Sequence, residues 1–164
     1  MKKLICFLFF VNSVYSQQLQ WTTCNVTYGG RYDDIFFIND SVGWAAAGNY
    51  SNILKTTDAG KTWTNLFNAG GLYLRSIEFY NNSVGFCGAF PFQGYHGLLY
   101  KTTDGGTSWQ DISNNIKMAD STANGVCGLS ITDSAVVYAS GSWYEPAFVL
   151  KSYNKGQTWQ FINM

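Results

Sequence analysis

Seven acidic side chains outside the repeated Asp turn are available for chemistry: Asp33, Asp34, Glu78, Asp111, Asp120, Asp133 and Glu145. Two such carboxyls could cleave a glycosidic bond if they faced one cleft and one had its pKa raised. The spacing brings no such pair together. Asp33-Asp34 reads as solvated rim and Asp133 as a turn former. His96 is the sole histidine, which excludes a histidine metal cluster, and no nucleophile elbow accompanies it for a Ser-His-Asp triad. Cys24, Cys87 and Cys127 have no metal-ligand spacing. They read as buried small residues, or as one disulfide with Cys87 and Cys127 the pair to bridge. No phosphate loop, dinucleotide fingerprint or calcium loop is present, so neither a metal nor a cofactor is expected.

The chemistry that the chain does repeat is a turn. Thr56, Asp58, Gly60 and Trp63 return as Thr102, Asp104, Gly106 and Trp109, and again as Ser152, Asn154, Gly156 and Trp159. A carboxylate here can accept backbone N–H bonds across its own turn, the glycine takes positive φ, and a neighbouring hydroxyl adds a bond. Asp58 and Asp104 occupy matched places in successive units, far apart on an outer rim, so they cannot share a substrate. Their role is read as structural. A second marker precedes each copy: Asn39 to Trp44, Asn81 to Phe86, and Thr132 to Val137.

The elements that position these turns follow from the period. Each unit divides into four short strands separated by turn signals. The first runs through Asp34 to Ile38, Gly43 to Gly48, Asn52 to Thr57 and Trp63 to Phe67. The second takes Arg75 to Tyr80, Gly85 to Phe90, Gly97 to Thr102 and Trp109 to Ser113. The third takes Val126 to Thr132, Ala135 to Gly141, Phe148 to Ser152 and Trp159 to Met164. Antiparallel four-stranded units at this period are propeller blades, so the expected fold is an all-β propeller. Blades fall at about 31–67, 74–113 and 125–164, within a partial propeller over 17–164. Residues 19–26 look like one extra outer strand. Three blades and a spare strand do not close a ring of the usual four to eight. Further blades are therefore expected from additional sequence or from another chain.

Residues 1–16 read as a secretory signal peptide: Lys2 and Lys3, an apolar stretch from Leu4 to Val11, and small residues at Val14 and Ser16. The stretch is too short to span a membrane, and the expected location is secreted: extracellular, periplasmic or at the cell surface. Only 12% of residues are charged, 18% are aromatic, and ten basic side chains balance ten acidic ones. Such a chain is neither a disordered tail nor a coiled coil. With only Arg31 and Arg75 as arginines, nucleic acid is excluded as a partner.

The turn motif resembles the Asp-box of bacterial neuraminidase (BNR) repeats, with Asn154 departing from the aspartate. The Ser-Val-Gly-Trp strand at 41–44 is similar to that of photosystem II stability and assembly factor propellers and related secreted bacterial proteins. The resemblance implies a propeller and leaves activity open, since such boxes also occur in sialidases and xyloglucan hydrolases. A sialidase would need an arginine cluster that two arginines do not supply. The expected function is a non-enzymatic binding or assembly module for a protein or glycan ligand, the alternative being a fragment of a carbohydrate-active propeller enzyme. Aromatics on the variable connections between second and third strands, Phe92, Tyr95, His96, Trp143 and Tyr144, are the candidate binding surface, on the face opposite the Asp turns.

Overall fold

Short runs of alternating apolar and polar residues between Asn, Asp, Ser and Gly clusters can bury a face only as strands, and in the computed structural model they do so. The structure describes residues 23, 24, 26, 30–90, 98–116, 125–134, 136–141 and 147–163. These form three antiparallel four-stranded sheets, each in meander order. Unit 1 comprises β1 (Tyr32–Phe37), β2 (Gly43–Ala47), β3 (Asn52–Thr56) and β4 (Thr64–Asn68). Unit 2 comprises β5 (Tyr73–Phe79), β6 (Gly85–Phe90), β7 (Leu99–Thr102) and β8 (Gln110–Asp111). Unit 3 comprises β9 (Gly128–Ile131), β10 (Val137–Gly141), β11 (Phe148–Ser152) and β12 (Gln160–Asn163). No α-helix occurs among the described residues, and 3-10 turns lie at Gly48–Tyr50 and Ser113–Asn115. The expected spare strand lies outside the described residues except for Thr23, Cys24 and Val26, and the expected signal peptide lies wholly outside them.

The first strands β1, β5 and β9 run side by side, so they are innermost and the fourth strands are outermost. Carboxylates stitch these inner strands together. Ile77 N–H donates to Asp34 at 2.8 Å, and Ile131 N–H donates to Glu78 at 3.2 Å. Two cores separate the sheets. One holds Trp44, Ala46, Ile53, Ile77, Phe79 and Cys87 between units 1 and 2. The other holds Phe86, Leu99, Val126, Val137 and Leu150 between units 2 and 3. Residue type follows from this layering: β2 is buried throughout, and alternate side chains serve opposite cores.

Two sequence expectations need correction. The third unit's marker is displaced by one residue: Val137 pairs with Ser152 and Tyr138 with Lys151, as Gly43 pairs with Thr56 and Trp44 with Lys55. Tyr138, not Val137, therefore stands where Trp44 and Phe86 stand. The proposed Cys87–Cys127 bridge is absent and both thiols are free. Cys87 is buried in the core shared with unit 1, whereas Cys127 precedes β9 and donates its N–H to Ser140 O of unit 3.

Candidate functional site

The turn end of the sheets is spent on structure. In unit 1, Asp58 accepts from the Thr56 hydroxyl at 2.8 Å, the Thr62 N–H at 2.9 Å and the Thr62 hydroxyl at 2.7 Å. Asp104 repeats this with Thr102 and Ser108 at 2.8, 2.9 and 2.6 Å. These donors, Thr62 first for Asp58 and Ser108 first for Asp104, hold both carboxyls down at about 2. Asn154 keeps the geometry, accepting from Thr158 N–H at 2.9 Å, and reverses one bond by donating its amide to the Thr158 hydroxyl. Gly60, Gly106 and Gly156 each donate to the first hydroxyl of the motif at 2.8 to 3.0 Å. Trp63 and Trp109 stand just before β4 and β8 and donate their indole N–H to the carbonyls of Gly60 and Gly106. Each ring meets an aromatic edge to face: Phe37–Trp63, Phe79–Trp109 and Phe86–Trp159, at 5.9 to 6.1 Å. Such pairs contribute about 0.5–1.5 kcal/mol beyond their buried area.

The opposite end carries different chemistry. The ladder slips at Asp33 in β1 and at Arg75 in β5, and such bulges re-aim a side chain. Here they aim the two at one another. Arg75 Nη1 lies 2.9 Å from Asp33 Oδ1, and Arg31 Nε lies 2.9 Å from the same oxygen. The Asp33 side chain is 3% exposed, that of Arg75 21% and that of Arg31 61%. Asp33 is therefore a buried anchor rather than the solvated rim expected of it. The arginines are the only two in the chain, and both are used here. The Arg75 guanidinium also lies 5.7 Å from the Tyr73 ring. Burial, then the hydrogen bond with Asp33, pushes the Tyr73 phenol up.

Gly48 makes the cluster possible, because a Cβ there would lie 2.3 Å from Asp33 Oδ2 and 2.7 Å from Tyr73. Ser51 fixes the adjoining turn by donating its hydroxyl to Leu72 O at 2.6 Å and accepting from Gly71 N–H at 3.1 Å. Asn68 donates to Tyr50 O at 3.1 Å, and the Tyr50 residue is 49% exposed, near Tyr32. The cluster belongs to the face expected to bind, but the predicted aromatics Phe92, Tyr95, His96, Trp143 and Tyr144 all lie outside the described residues. The sequence reading missed Arg31, Asp33, Tyr73 and Arg75 as a group. The repeat held the signal, since Asp33 and Arg75 are separated by the same 42 residues as Asn39 and Asn81.

Among the described residues the remaining acids are tied to backbone or stand apart. Asp34 is bound to Ile35 and Ile77 N–H groups, and Asp111 caps Ser113. Asp120 and Glu145 lie outside the described residues. Glu78, raised by burial, and the exposed Asp133 share an open groove of about 550 Å³, and Glu78 holds Ile131 N–H there. No metal-binding group of three or more His, Cys, Asp or Glu side chains occurs among the described residues. Nor is any helix among them long and apolar enough to cross a membrane.

Comparisons with known proteins agree with this architecture. The model of the family Photosynthesis system II assembly factor YCF48 matches residues 13–162. No curated protein matches. A solved structure of YCF48 bound to D1 peptide is 18% identical, with a TM-score of 0.62, covering 85% of this chain and 46% of that one. YCF48 from Cyanidioschyzon merolae is 17% identical at 0.62, covering 84% and 38%. An ancestral GH74 enzyme is 18% identical at 0.67, covering 87% and 19%. The chain thus spans less than half the length of each of these structures, and at these identities the likeness is one of fold.

Proposed function

The chain belongs to the Photosynthesis system II assembly factor YCF48 family, and from that membership we propose that it is an exported, non-enzymatic module that binds an acidic segment of another protein. The observation that carries this reading is the Arg31–Asp33–Arg75 cluster. One buried carboxylate holds two guanidiniums, and the Arg31 side chain stays 61% exposed. A planar guanidinium on a rigid strand end can take a carboxylate in two parallel hydrogen bonds. The Tyr32 and Tyr50 rings beside it offer apolar area with a polar tip. The structural neighbour that carries a D1 peptide supports a peptide as the kind of ligand.

Phe92, Tyr95, His96, Trp143 and Tyr144 extend this surface in our reading. Their segments leave the ends of β6 and β10, which match the end of β2 where Tyr50 follows. Export rests on the basic start and apolar stretch of residues 1–16. The fold likeness to GH74 enzymes keeps a carbohydrate reading as the alternative, with the Glu78–Asp133 groove as its site. It has less support, because Glu78 is already tied to the Ile131 backbone.

Fluorescence anisotropy with acidic peptides and their amide-substituted counterparts tests the proposal. Arg31→Ala should weaken the acidic peptides on the order of tenfold and leave the neutral ones unchanged. Arg75 still pairs with Asp33 in that variant, so the fold is retained. Equal binding by Arg31→Ala and the parent chain would refute the reading.

A further inference from the structure

Beside the innermost strands the repetition stops. The residues paired with Trp44, Phe86 and Tyr138 across the first ladder of each unit are Phe36, Glu78 and Ser130: a ring, a carboxylate and a hydroxyl. The turns that follow also differ. Asn39 accepts from the N–H groups of Ser41 and Val42, and Asn81 from those of Ser83 and Val84, so both are consumed by their turns. Asp133 holds the matched place in unit 3, where Thr132 N–H donates to Val136 O as Ile38 and Tyr80 do to Val42 and Val84. There the Thr132 hydroxyl takes the Val136 N–H at 3.3 Å and meets Ser134 at 3.0 Å. The Asp133 carboxylate, expected to form this turn, makes no hydrogen bond or ion pair among the described residues.

Glu78 and Asp133 open onto one groove of about 550 Å³, the size of a ligand site, whose wall includes Phe36, Phe79 and Tyr80. Ile131 N–H occupies one oxygen of Glu78 at 3.2 Å, and the other has no hydrogen-bond partner among the described residues. Burial, with the charge of Asp34 adding to it, pushes the Glu78 carboxyl up, and a cation in the groove would reverse this. Among the described residues the ion pairs are those of Asp33, so neither groove carboxylate is neutralised by a lysine or an arginine of these units. The same wall already seats one ammonium: Lys155 Nζ lies 4.6 Å from the centroid of the Tyr80 ring.

We propose that this groove receives a lysine side chain of a partner protein, its ammonium held by Glu78 and Asp133 and its stem lying along Phe36 and Phe79. Charge and shape choose this occupant. A hard metal ion needs a cage of oxygens, and two carboxylates against three rings do not make one. An arginine pairs best with both oxygens of a carboxylate, and one oxygen of Glu78 is already spent on Ile131. A lysine head brings three N–H donors and a point charge to the oxygens that remain, and its methylenes cover the rings. The site is independent of the arginine cluster, which lies at the other end of β1 and β5.

Solution NMR of the whole chain, titrated with an end-blocked Gly-Ser-Lys-Ser-Gly peptide, tests this. The Ile131 N–H resonance should shift and saturate with the lysine peptide, stay in place with its Nε-acetyl-lysine counterpart, and saturate at higher concentration with the arginine one. Glu78→Gln keeps an oxygen for Ile131 N–H but loses the charge, and should weaken the lysine peptide on the order of tenfold. Asp133→Asn should do the same, and because this exposed carboxylate holds no bond of the fold, its thermal midpoint should equal the parent's. Equal response to the lysine and acetyl-lysine peptides, no response to either, unchanged affinity in both variants, or calcium chloride moving the same resonances at lower concentration than the lysine peptide would each overturn the proposal. An acidic peptide titrated against Glu78→Gln reads the Arg31 site separately, so failure at one end is distinguishable from failure at the other.

Discussion

Gly156→Ala is the sharpest test of how the units are packed. Gly156 has φ +74°, in the left-handed region, and a Cβ there would lie 2.4 Å from Phe86 Cε1 and 2.8 Å from its Cζ. The Phe86 ring is fully buried and is boxed in by Trp159 at 6.1 Å, so it has little room to turn aside. A left-handed L-residue costs about 1–2 kcal/mol, and overpacking a filled core adds about 1–3 kcal/mol. The expected loss is therefore about 2–5 kcal/mol. Gly70 is the control: its φ is +58°, but nothing lies within 4 Å of a Cβ, so Gly70→Ala incurs the backbone cost alone, about 1–2 kcal/mol. Urea unfolding followed by tryptophan fluorescence measures both, provided the slope with denaturant is unchanged. Equal losses in the two variants would refute the close approach of the third turn to Phe86.

Acid should act through the turns. Asp58 and Asp104 titrate near 2 when folded, below the ordinary carboxylate value of 3.8, so their stabilisation is full above that value and disappears as pH falls towards 2. The Asp58→Asn, Asp104→Asn double variant, imitating Asn154, should show a shallower loss of thermal midpoint between pH 4 and pH 2; an unchanged slope would refute the assignment. Ala59 has φ +61° where unit 2 has a glycine, so Ala59→Gly should stabilise the chain by about 0.5–1 kcal/mol in the same urea experiment, and a loss of stability would refute the strain.

Strand order was legible because every strand is flanked by its own turn signals, and the turn residues recur at matched positions. The register of the third unit was not, because Ala135 and Val136 do not distinguish a glycine-bearing marker from its neighbour. Only pairing with β11 places Tyr138 beside Lys151. Asp33 was misread for a related reason. Two adjacent aspartates look solvated in one dimension, whereas a bulge in each inner strand sends Asp33 to Arg75 across 42 residues. A bulge shifts the phase of a two-residue alternation by one residue, and strands this short leave too few positions to show it.

The two ends of the sheets obey opposite rules, and this is the physical reason for placing recognition at one of them. At the turn end, Thr56, Thr102 and Ser152 make the same bonds three times, and even an asparagine is bent to that geometry. Holding a repeated backbone shape demands a repeated residue. At the other end, the matched positions in β1, in β5 and just before β9 hold Asp33, Arg75 and Cys127: an anion, a cation and a thiol. The blade backbone cannot need all three at one place. What differs between units there is not dictated by the packing common to them, and the face built from it is free to match the charge and shape of something outside the chain.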